Sequence, residues 1–338
     1  MKEAVFLQEV KEIQLLKNAL TLLDWDSSTG MPEKSSPFRG EVEGYLTGLY
    51  FERSIGPVIQ EALAYFETRP EELSELGKLV FEKVKEEYAL NKNVPAERMQ
   101  EYVKVLNQAH TDWLKARAAQ DFGLLEETLT KVVAFQKEFI PYWQKEEKTP
   151  YDVLLNQFEP GMTVEKLDQV FDQVKQGIQE IRTVLAEKGT PPRTDFLSRK
   201  MTKEQQRRFV IGVVEQLGYD FSKGRLDDTV HPFMTALNRN DARITTRWEE
   251  NNFSMATFGV IHEAGHGMYE QNFDPKFDFT PLSEGASMGI HESQSLFNEI
   301  IIGSNRAFWQ KQYPFFQDCA EGTFDDIAFE DFYASLKE

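Results

Sequence analysis

Three residues within a five-residue stretch have the types and spacing of a hydrolytic metal centre. Residues 262–266 read His-Glu-Ala-Gly-His. On an α-helix, residues four apart lie on one face, so both imidazoles can reach one metal ion. Glu263 follows the first histidine, where its carboxylate can reach a metal-bound water without being a ligand. The pattern predicts His262 and His266 as zinc ligands and Glu263 as the general base. The alternative is two core histidines on an ordinary amphipathic helix.

A catalytic zinc needs a third protein ligand and one open position. Asn272 stands where the extended metzincin pattern requires a histidine, which excludes that class. Residues 291–294 read His-Glu-Ser-Gln at the start of a second helical pattern, roughly Ser287 to Ile302. His291 and Glu292 point about 100° apart on a helix, so we expect only one of them to coordinate, and the residues alone leave the choice near even. Weaker candidates are Glu284 and Glu299.

The helix that must carry the two histidines contains two glycines beside them. Ser254 can cap its start, and apolar side chains such as Phe258 and Ile261 can pack its inner face. Gly265 and Gly267 each cost about 1 kcal/mol relative to alanine within a helix. We therefore expect a neighbouring backbone to approach closely at this point.

Before this helix the pattern changes from helical to extended. Residues 243–248 alternate polar and apolar types, which predicts a strand of a small β-sheet beside the helix. Its polar face presents Arg243 and Arg247, and an arginine fork suits the terminal carboxylate of a peptide. The alternative is that these arginines balance neighbouring acidic residues, and the two interpretations are about level. Asp241 and His291 are candidates for orienting a ligand histidine or the substrate, and His231 either lines the cleft or stabilises it.

The rest of the chain reads as packed amphipathic helices. We predict a mainly α, zincin-like fold with a small β-sheet and a deep substrate cleft. It would form one domain over residues 1–338, with residues 1–150 as a helical wall of the cleft and 151–338 as the catalytic part. Asp24 to Gly40 is expected to be a loop. The expected helices span about Glu3 to Trp25, Pro37 to Leu63, Pro70 to Leu90, Pro95 to Ala119, Gly123 to Tyr142, Thr163 to Gly189 and Thr202 to Gly218.

Composition narrows the class of partner and the compartment. There are 38 Lys and Arg residues against 56 Asp and Glu, for a net charge of −18. A surface this acidic argues against nucleic acid or an anionic membrane as partner. Cys319 is the single cysteine, which permits no internal disulfide and fits a reducing cytoplasm. The start of the chain lacks the layout of a secretory signal, so we expect a cytoplasmic location.

Several motifs together resemble those of the carboxypeptidase Taq family of metallopeptidases. The motifs occur in order and over essentially the whole chain: Leu23-Asp24-Trp25-Asp26, Glu159-Pro160-Gly161-Met162-Thr163, His231-Pro232-Phe233, residues 241–247, residues 262–266 and His291-Glu292-Ser293-Gln294. The resemblance implies that Glu292 is the third ligand of one Zn²⁺ per chain, for which Co²⁺ can substitute. It also implies peptide substrates cut at the C-terminus, and a homodimer.

One departure from the family pattern concerns the end of the chain. Two further family motifs, an Arg-Ala-Asp-Glu segment and a Gln-Asp-x-His-Trp segment, do not occur in this sequence, so we expect the C-terminal part of the family domain to be absent. Two alternatives to the carboxypeptidase therefore stay open. One is a zinc oligoendopeptidase that cuts internal bonds, and the other is an inactive metal-binding helical fragment.

Overall fold

Helices dominate the computed structural model, which describes residues 1–337. They are α1 (Glu3–Thr29), α2 (Ser36–Ser54), α3 (Pro57–Phe66), α4 (Glu75–Asn91), α5 (Ala96–Ala119), α6 (Gly123–Trp143), α7 (Pro150–Phe158), α8 (Val164–Lys188), α9 (Lys203–Leu217), α10 (Phe253–Gln271), α11 (Met288–Leu296), α12 (Arg306–Cys319) and α13 (Phe329–Ser335). The strands are β1 (Leu226–Asp228), β2 (Met234–Asn238) and β3 (Asp241–Thr246). The predicted mainly α class with a small sheet is confirmed. Within residues 1–337, no helix combines the length and hydrophobicity that crossing a bilayer requires.

The described chain divides into two compact units. Unit 1 comprises Met1–Leu20, Lys34–Asp168 and Phe279–Leu282, and unit 2 comprises the rest of the described chain. The single domain with parts meeting at residue 150 stays a prediction.

Unit 1 is held by two apolar clusters. One joins α1, α3 and α4 through Phe6, Phe66 and Phe81, whose rings meet tilted or edge to face. The other joins α6 and α7 through Phe139, Trp143 and Val153. Each large side chain buried in this way contributes about 1.5–3 kcal/mol, so helices with strongly charged outer faces still pack firmly.

Unit 2 is built around α10, the helix that carries the His-Glu-Ala-Gly-His stretch. Its first residue, Phe253, is fully buried and packs on Phe316 of α12 and Phe332 of α13 at ring-centroid distances of 4.8 and 5.9 Å. Phe209 of α9 and Trp309 of α12 extend the same aromatic cluster. The start of α10 is therefore fixed by packing rather than by a cap.

The three strands form a sheet in the order β1-β3-β2, and β3 packs against α10. β1 pairs with β3 in parallel and β2 pairs with it antiparallel, so that Leu226 and Met234 both lie opposite Ile244. β3 is thus the central strand, and any added extended chain would have to pair with β1 or β2. The predicted alternation over residues 243–248 is only partly correct, because the strand ends at Thr246 and Thr245 is buried as well.

The predicted loop from Asp24 to Gly40 is wrong. Helix α1 continues to Thr29, whose hydroxyl donates to the carbonyl of Trp25 at 2.7 Å, and α2 already begins at Ser36. Trp25 is only 4% exposed and meets the Phe233 ring edge to face at 5.5 Å. Burial of this indole extends α1 past the point where the composition suggests a loop. The expected helix to Leu63 is in fact α2 and α3, because Pro57 starts a new helix.

Local capping signals are mostly reliable predictors of the helix ends. The helix predicted from Thr202 to Gly218 is α9. Thr202 and Gln205 form a capping box at its start, and Gly218 ends it with φ +115°, a conformation that glycine adopts without strain. The predicted cap at Ser254 is wrong. Its hydroxyl instead donates to Asn252 Oδ1 at 2.7 Å, and α10 already begins at Phe253, so that Asn252 occupies the N-cap position.

Candidate metal centre

Helices α10 and α11 bring His262, His266 and Glu292 together. His262 Nε2 lies 3.7 Å from Glu292 Oε1, and His266 Nε2 lies 3.4 Å from Glu292 Oε2. One ligand atom from each residue lies within 4.8 Å of the other two. Nitrogen and oxygen ligands of a tetrahedral zinc, at about 2.1 Å from the ion, are about 3.4 Å apart. The three side chains therefore fit a single divalent cation with small adjustments.

Glu299 contacts the first of these histidines from the π-helical segment Phe297–Ile302, which continues α11. Its Oε2 lies 2.8 Å from His262 Nδ1, so the imidazole donates its Nδ1 proton there and turns Nε2 towards Glu292. The hydrogen bond to Glu299 raises the pKa of His262, although burial acts in the opposite direction. Glu299 follows Glu292 by two helical turns, and this spacing is the sequence signal that could have identified it as an orienting residue rather than a weak ligand candidate.

Replacing Glu299 with alanine should lower the affinity for zinc by about 10- to 100-fold, because His262 loses the group that fixes its ring and tautomer. Glu299→Gln keeps an acceptor oxygen and should recover part of this loss. The affinity can be measured by competition with a chromogenic chelator, with Glu204→Ala on the exposed start of α9 as control. Equal affinities for Glu299→Ala and the parent would contradict an orienting role.

His291, the rival candidate for the third ligand, lies against His266 instead. The two rings stack with centroids 4.4 Å apart, and His291 Nε2 lies 3.0 Å from Glu270 Oε1. The Tyr269 ring contacts the His291 ring edge to face, with the ring centroids 5.6 Å apart. Glu270, too far along α10 to share the metal with His262, thus holds the residue that packs on the second histidine.

Burial changes the proton affinities at this site. Glu263 is 7% exposed, and burial raises its pKa to about 7. Burial also lowers the pKa of His266 to about 4, helped by the neighbouring His291 and His262. Nδ1 of His266 is buried without a hydrogen-bond partner among the described residues. A divalent cation favours neutral imidazoles and ionised carboxylates around it, so it would lower the pKa of Glu263.

Gly265 permits the close approach of α10 and α11. A Cβ atom built on Gly265 would lie 2.7 Å from the carbonyl oxygen of Gln294 and from Cα of Ser295. The expected approach of a neighbouring backbone is therefore found at this glycine. At Gly267 the neighbour is the ring of Tyr219, at 2.6 Å, rather than a backbone.

Gly265→Ala should therefore separate α11 from α10, destabilise the protein by about 1–3 kcal/mol and weaken metal binding. Gly259→Ala on the same helix is the matched control, since its Cβ meets nothing closer than Thr246 Oγ1 at 4.0 Å. That change should be neutral or stabilise by up to about 1 kcal/mol, the helix preference of alanine. Denaturant unfolding of both variants measures the difference. If Gly265→Ala is as stable as Gly259→Ala, the backbone of α11 can move away from position 265 at little cost in free energy.

The five predicted substrate-binding residues occupy different places. His291 contacts His266, whereas Arg243 forms a bidentate pair with Asp241, 2.8 Å at each nitrogen, and lies over the Trp25 ring. Arg247 lies beyond β3 and pairs with Glu249. His231 is exposed between β1 and β2. Each arginine of the predicted carboxylate anchor thus already holds a carboxylate, and the role of these residues stays a prediction.

Comparisons with known proteins identify relatives of this chain. Residues 5–338 match the family model described as carboxypeptidase Taq (M32) metallopeptidase. Carboxypeptidase 1 of Bacillus subtilis is 42% identical over 99% of this chain and 67% of its own length. Thermostable carboxypeptidase 1 of Thermus thermophilus is 31% identical over 96% of this chain and 66% of its own length. The chain thus spans about two thirds of the length of the curated relatives it matches.

Solved structures give the same result. The structure titled "BsuCP Crystal Structure" has a TM-score of 0.95 at 42% identity, covering 99% of this chain and 67% of that one. The M32 carboxypeptidase from Deinococcus radiodurans R1 has a TM-score of 0.89 at 32% identity. The match covers 98% of this chain and 66% of that one. Fold and matches define the class as a peptide hydrolase of the metallopeptidase type. The chain belongs to the carboxypeptidase Taq (M32) metallopeptidase family, which confirms the predicted resemblance and enzyme class.

Proposed function

We propose that this protein is a zinc-dependent metallocarboxypeptidase that releases residues from the C-termini of peptides. The observation that carries the proposal is the convergence of His262, His266 and Glu292 within 4.8 Å of one another. Glu263 lies next to the first ligand on the same helix. The carboxypeptidase names of the relatives support the choice of peptide substrates.

Two imidazoles and one carboxylate are a ligand set of catalytic zinc sites, and Co²⁺ can take the same site. When bound, such an ion polarises a carbonyl and increases the acidity of a water molecule. The carboxylate of Glu292 balances part of the cation's charge. Glu299 is not a ligand in this proposal. It accepts the hydrogen bond from Nδ1 of His262, which keeps Nε2 available as a ligand atom.

Glu263 carries the proton transfers of the proposed mechanism. Its carboxylate accepts a proton from the attacking water and delivers it to the amine that leaves. Because Glu263 is buried, little bulk water competes for its carboxylate. His291, stacked on His266, keeps that imidazole from turning away.

A peptide with an amidated C-terminus tests the choice between exopeptidase and endopeptidase. An exopeptidase that holds the free carboxylate by charge-assisted hydrogen bonds should lose at least about tenfold in kcat/KM on the amide. The matched substrates are one N-blocked peptide with a free or an amidated end, assayed by mass spectrometry. Equal rates with internal cleavage would identify an oligoendopeptidase instead. Bound zinc without turnover of either peptide would identify an inactive metal-binding protein.

The remaining parts of the proposal concern location and assembly. The net charge of −18 supports the absence of nucleic-acid and anionic membrane partners. Cys319 is buried as a small apolar residue, which is compatible with the cytoplasm. We also propose that two copies form a homodimer.

A further inference from the structure

The two histidines of the metal centre are held in different ways. Nδ1 of His262 lies 2.8 Å from the carboxylate of Glu299, which fixes that ring by a hydrogen bond. Nδ1 of His266 is buried, and no residue in the described range 1–337 partners it. The His291 ring lies against His266 instead, with 4.4 Å between centroids and 20° between the ring planes. Because a ligand histidine needs an outer contact to fix its ring, the orientation of His266 depends on His291.

His291 is in turn fixed by a buried carboxylate. Its Nε2 lies 3.0 Å from Glu270 Oε1, and only 8% of the Glu270 side chain is exposed. A carboxylate accepts hydrogen bonds, so the imidazole donates its Nε2 proton to it. Burying a carboxylate without a donor is strongly unfavourable, and the fold therefore preserves this hydrogen bond.

Two further contacts leave the imidazole of His291 little room to turn. The Tyr269 ring meets it edge to face, with the centroids 5.6 Å apart. On another edge, a Cβ atom built on Gly285 would lie 2.7 Å from Cδ2 of His291. The ring is thus confined by α10 and by the segment that leads into α11, and its position is set by the fold.

The Glu270–His291 hydrogen bond is the reverse of the Glu299–His262 hydrogen bond. In the first, α10 supplies the carboxylate and α11 the imidazole. In the second, α10 supplies the imidazole and the continuation of α11 supplies the carboxylate. His262, His266 and Glu270 follow one another at intervals of four residues, so they share one face of α10. The two hydrogen bonds therefore crosslink the helices on both sides of His266.

We propose that Glu270 is a positioning residue for the metal site and that it acts through His291. The inference rests on the proposed function, because it requires a metal ion held by His266 and Glu292. Glu270 fixes the ring that stacks on His266, and it also fixes the start of α11, from which Glu292 reaches the same ion. Ligands that are already in place lose less conformational freedom on binding, so the Glu270–His291 pair strengthens metal binding.

Glu270→Ala should weaken zinc binding about 10- to 100-fold, the range typical of residues that hold a ligand from outside. Glu270→Gln keeps an oxygen that accepts from His291 and should recover most of this loss. If Glu270→Ala does not fold, Glu270→Leu fills a similar volume without the acceptor and should show the same loss. The affinity is measured by competition with a chromogenic chelator, and circular dichroism checks that each variant is folded.

The matched control is Gln271→Ala, a change at the next residue of the same helix. The Gln271 side chain is buried and bonds both the N–H and the carbonyl of Asp220, at 3.0 Å each. Its loss should lower the midpoint of unfolding but leave the affinity for zinc at the parental value. A residue that supports only the fold would behave in the same way as Gln271. Glu270 should differ from it in zinc affinity.

A double-mutant cycle tests whether Glu270 acts through His291. His291→Ala should weaken zinc binding at least as much as Glu270→Ala, and adding Glu270→Ala to it should have little further effect. Independent effects that multiply in the double variant would overturn the inference. Parental zinc affinity in Glu270→Ala would overturn it as well, while leaving the proposed function standing. A parent protein that binds no zinc would overturn the proposed function together with this inference, so the two failures can be distinguished.

Discussion

Glu263→Gln should reduce kcat/KM for peptide hydrolysis by about 10²- to 10⁴-fold while zinc remains bound. The amide has the size of the carboxylate but cannot accept the proton of the attacking water. Metal binding should persist because His262, His266 and Glu292 are untouched. The loss should therefore appear in turnover, with little change in the metal content of the purified protein.

Zinc content by mass spectrometry and initial rates on an N-blocked peptide are the two measurements. Glu204→Gln, the same chemical change on the exposed first turn of α9, is the matched control and should retain parental rates. Retained zinc with normal hydrolysis in Glu263→Gln would exclude Glu263 as the base. Lost zinc would show instead that Glu263 contributes to metal binding.

Local geometry explains which parts of the site the sequence predicts. The spacing of His262 and His266 determines a shared helical face whatever the rest of the fold does. The caps at Thr202 and Gly218 are equally local, and the structure contains both. The choice between His291 and Glu292 is different, because it depends on how α11 is rotated against α10. Only packing, including the contact at Gly265, determines that rotation.

Features set by distant contacts were predicted poorly. The indole of Trp25 meets Phe233, more than two hundred residues away in sequence, and that burial continues α1 through the predicted loop. Arg243 and Arg247 were predicted to bind the substrate carboxylate because of their residue type and their spacing on the strand. Whether an arginine pairs with a neighbouring acidic residue instead depends on its side-chain conformation, which the sequence pattern does not give. Arg243 turns to Asp241 on its own strand. Pattern alone cannot distinguish an arginine that is paired from one that is free to bind substrate.

Glu292→Ala should abolish most of the stabilisation that zinc provides. Loss of one of three ligands should weaken binding by more than the 10- to 100-fold typical of orienting residues. A ligand at 100 times its dissociation constant stabilises the folded state by about 2.7 kcal/mol, so a zinc concentration chosen at that ratio for the parent should have little effect on the variant. Thermal melts with and without added zinc measure the difference. An equal zinc-induced shift in both proteins would contradict the role of Glu292.

The melting temperature of Glu292→Ala in the presence of a chelator shows whether Glu292 is a metal ligand or a residue that supports the fold. The Glu292 side chain is 50% exposed, so its removal leaves no buried cavity. Burial is the main cause of the raised pKa of Glu263, and the negative charge of the nearby Glu292 raises it further, so these two carboxylates repel each other in the metal-free protein. Metal-free Glu292→Ala should therefore melt at or slightly above the temperature of the metal-free parent. Lower stability in chelator would mean that Glu292 supports the fold, and the lost zinc response could then no longer be attributed to coordination alone.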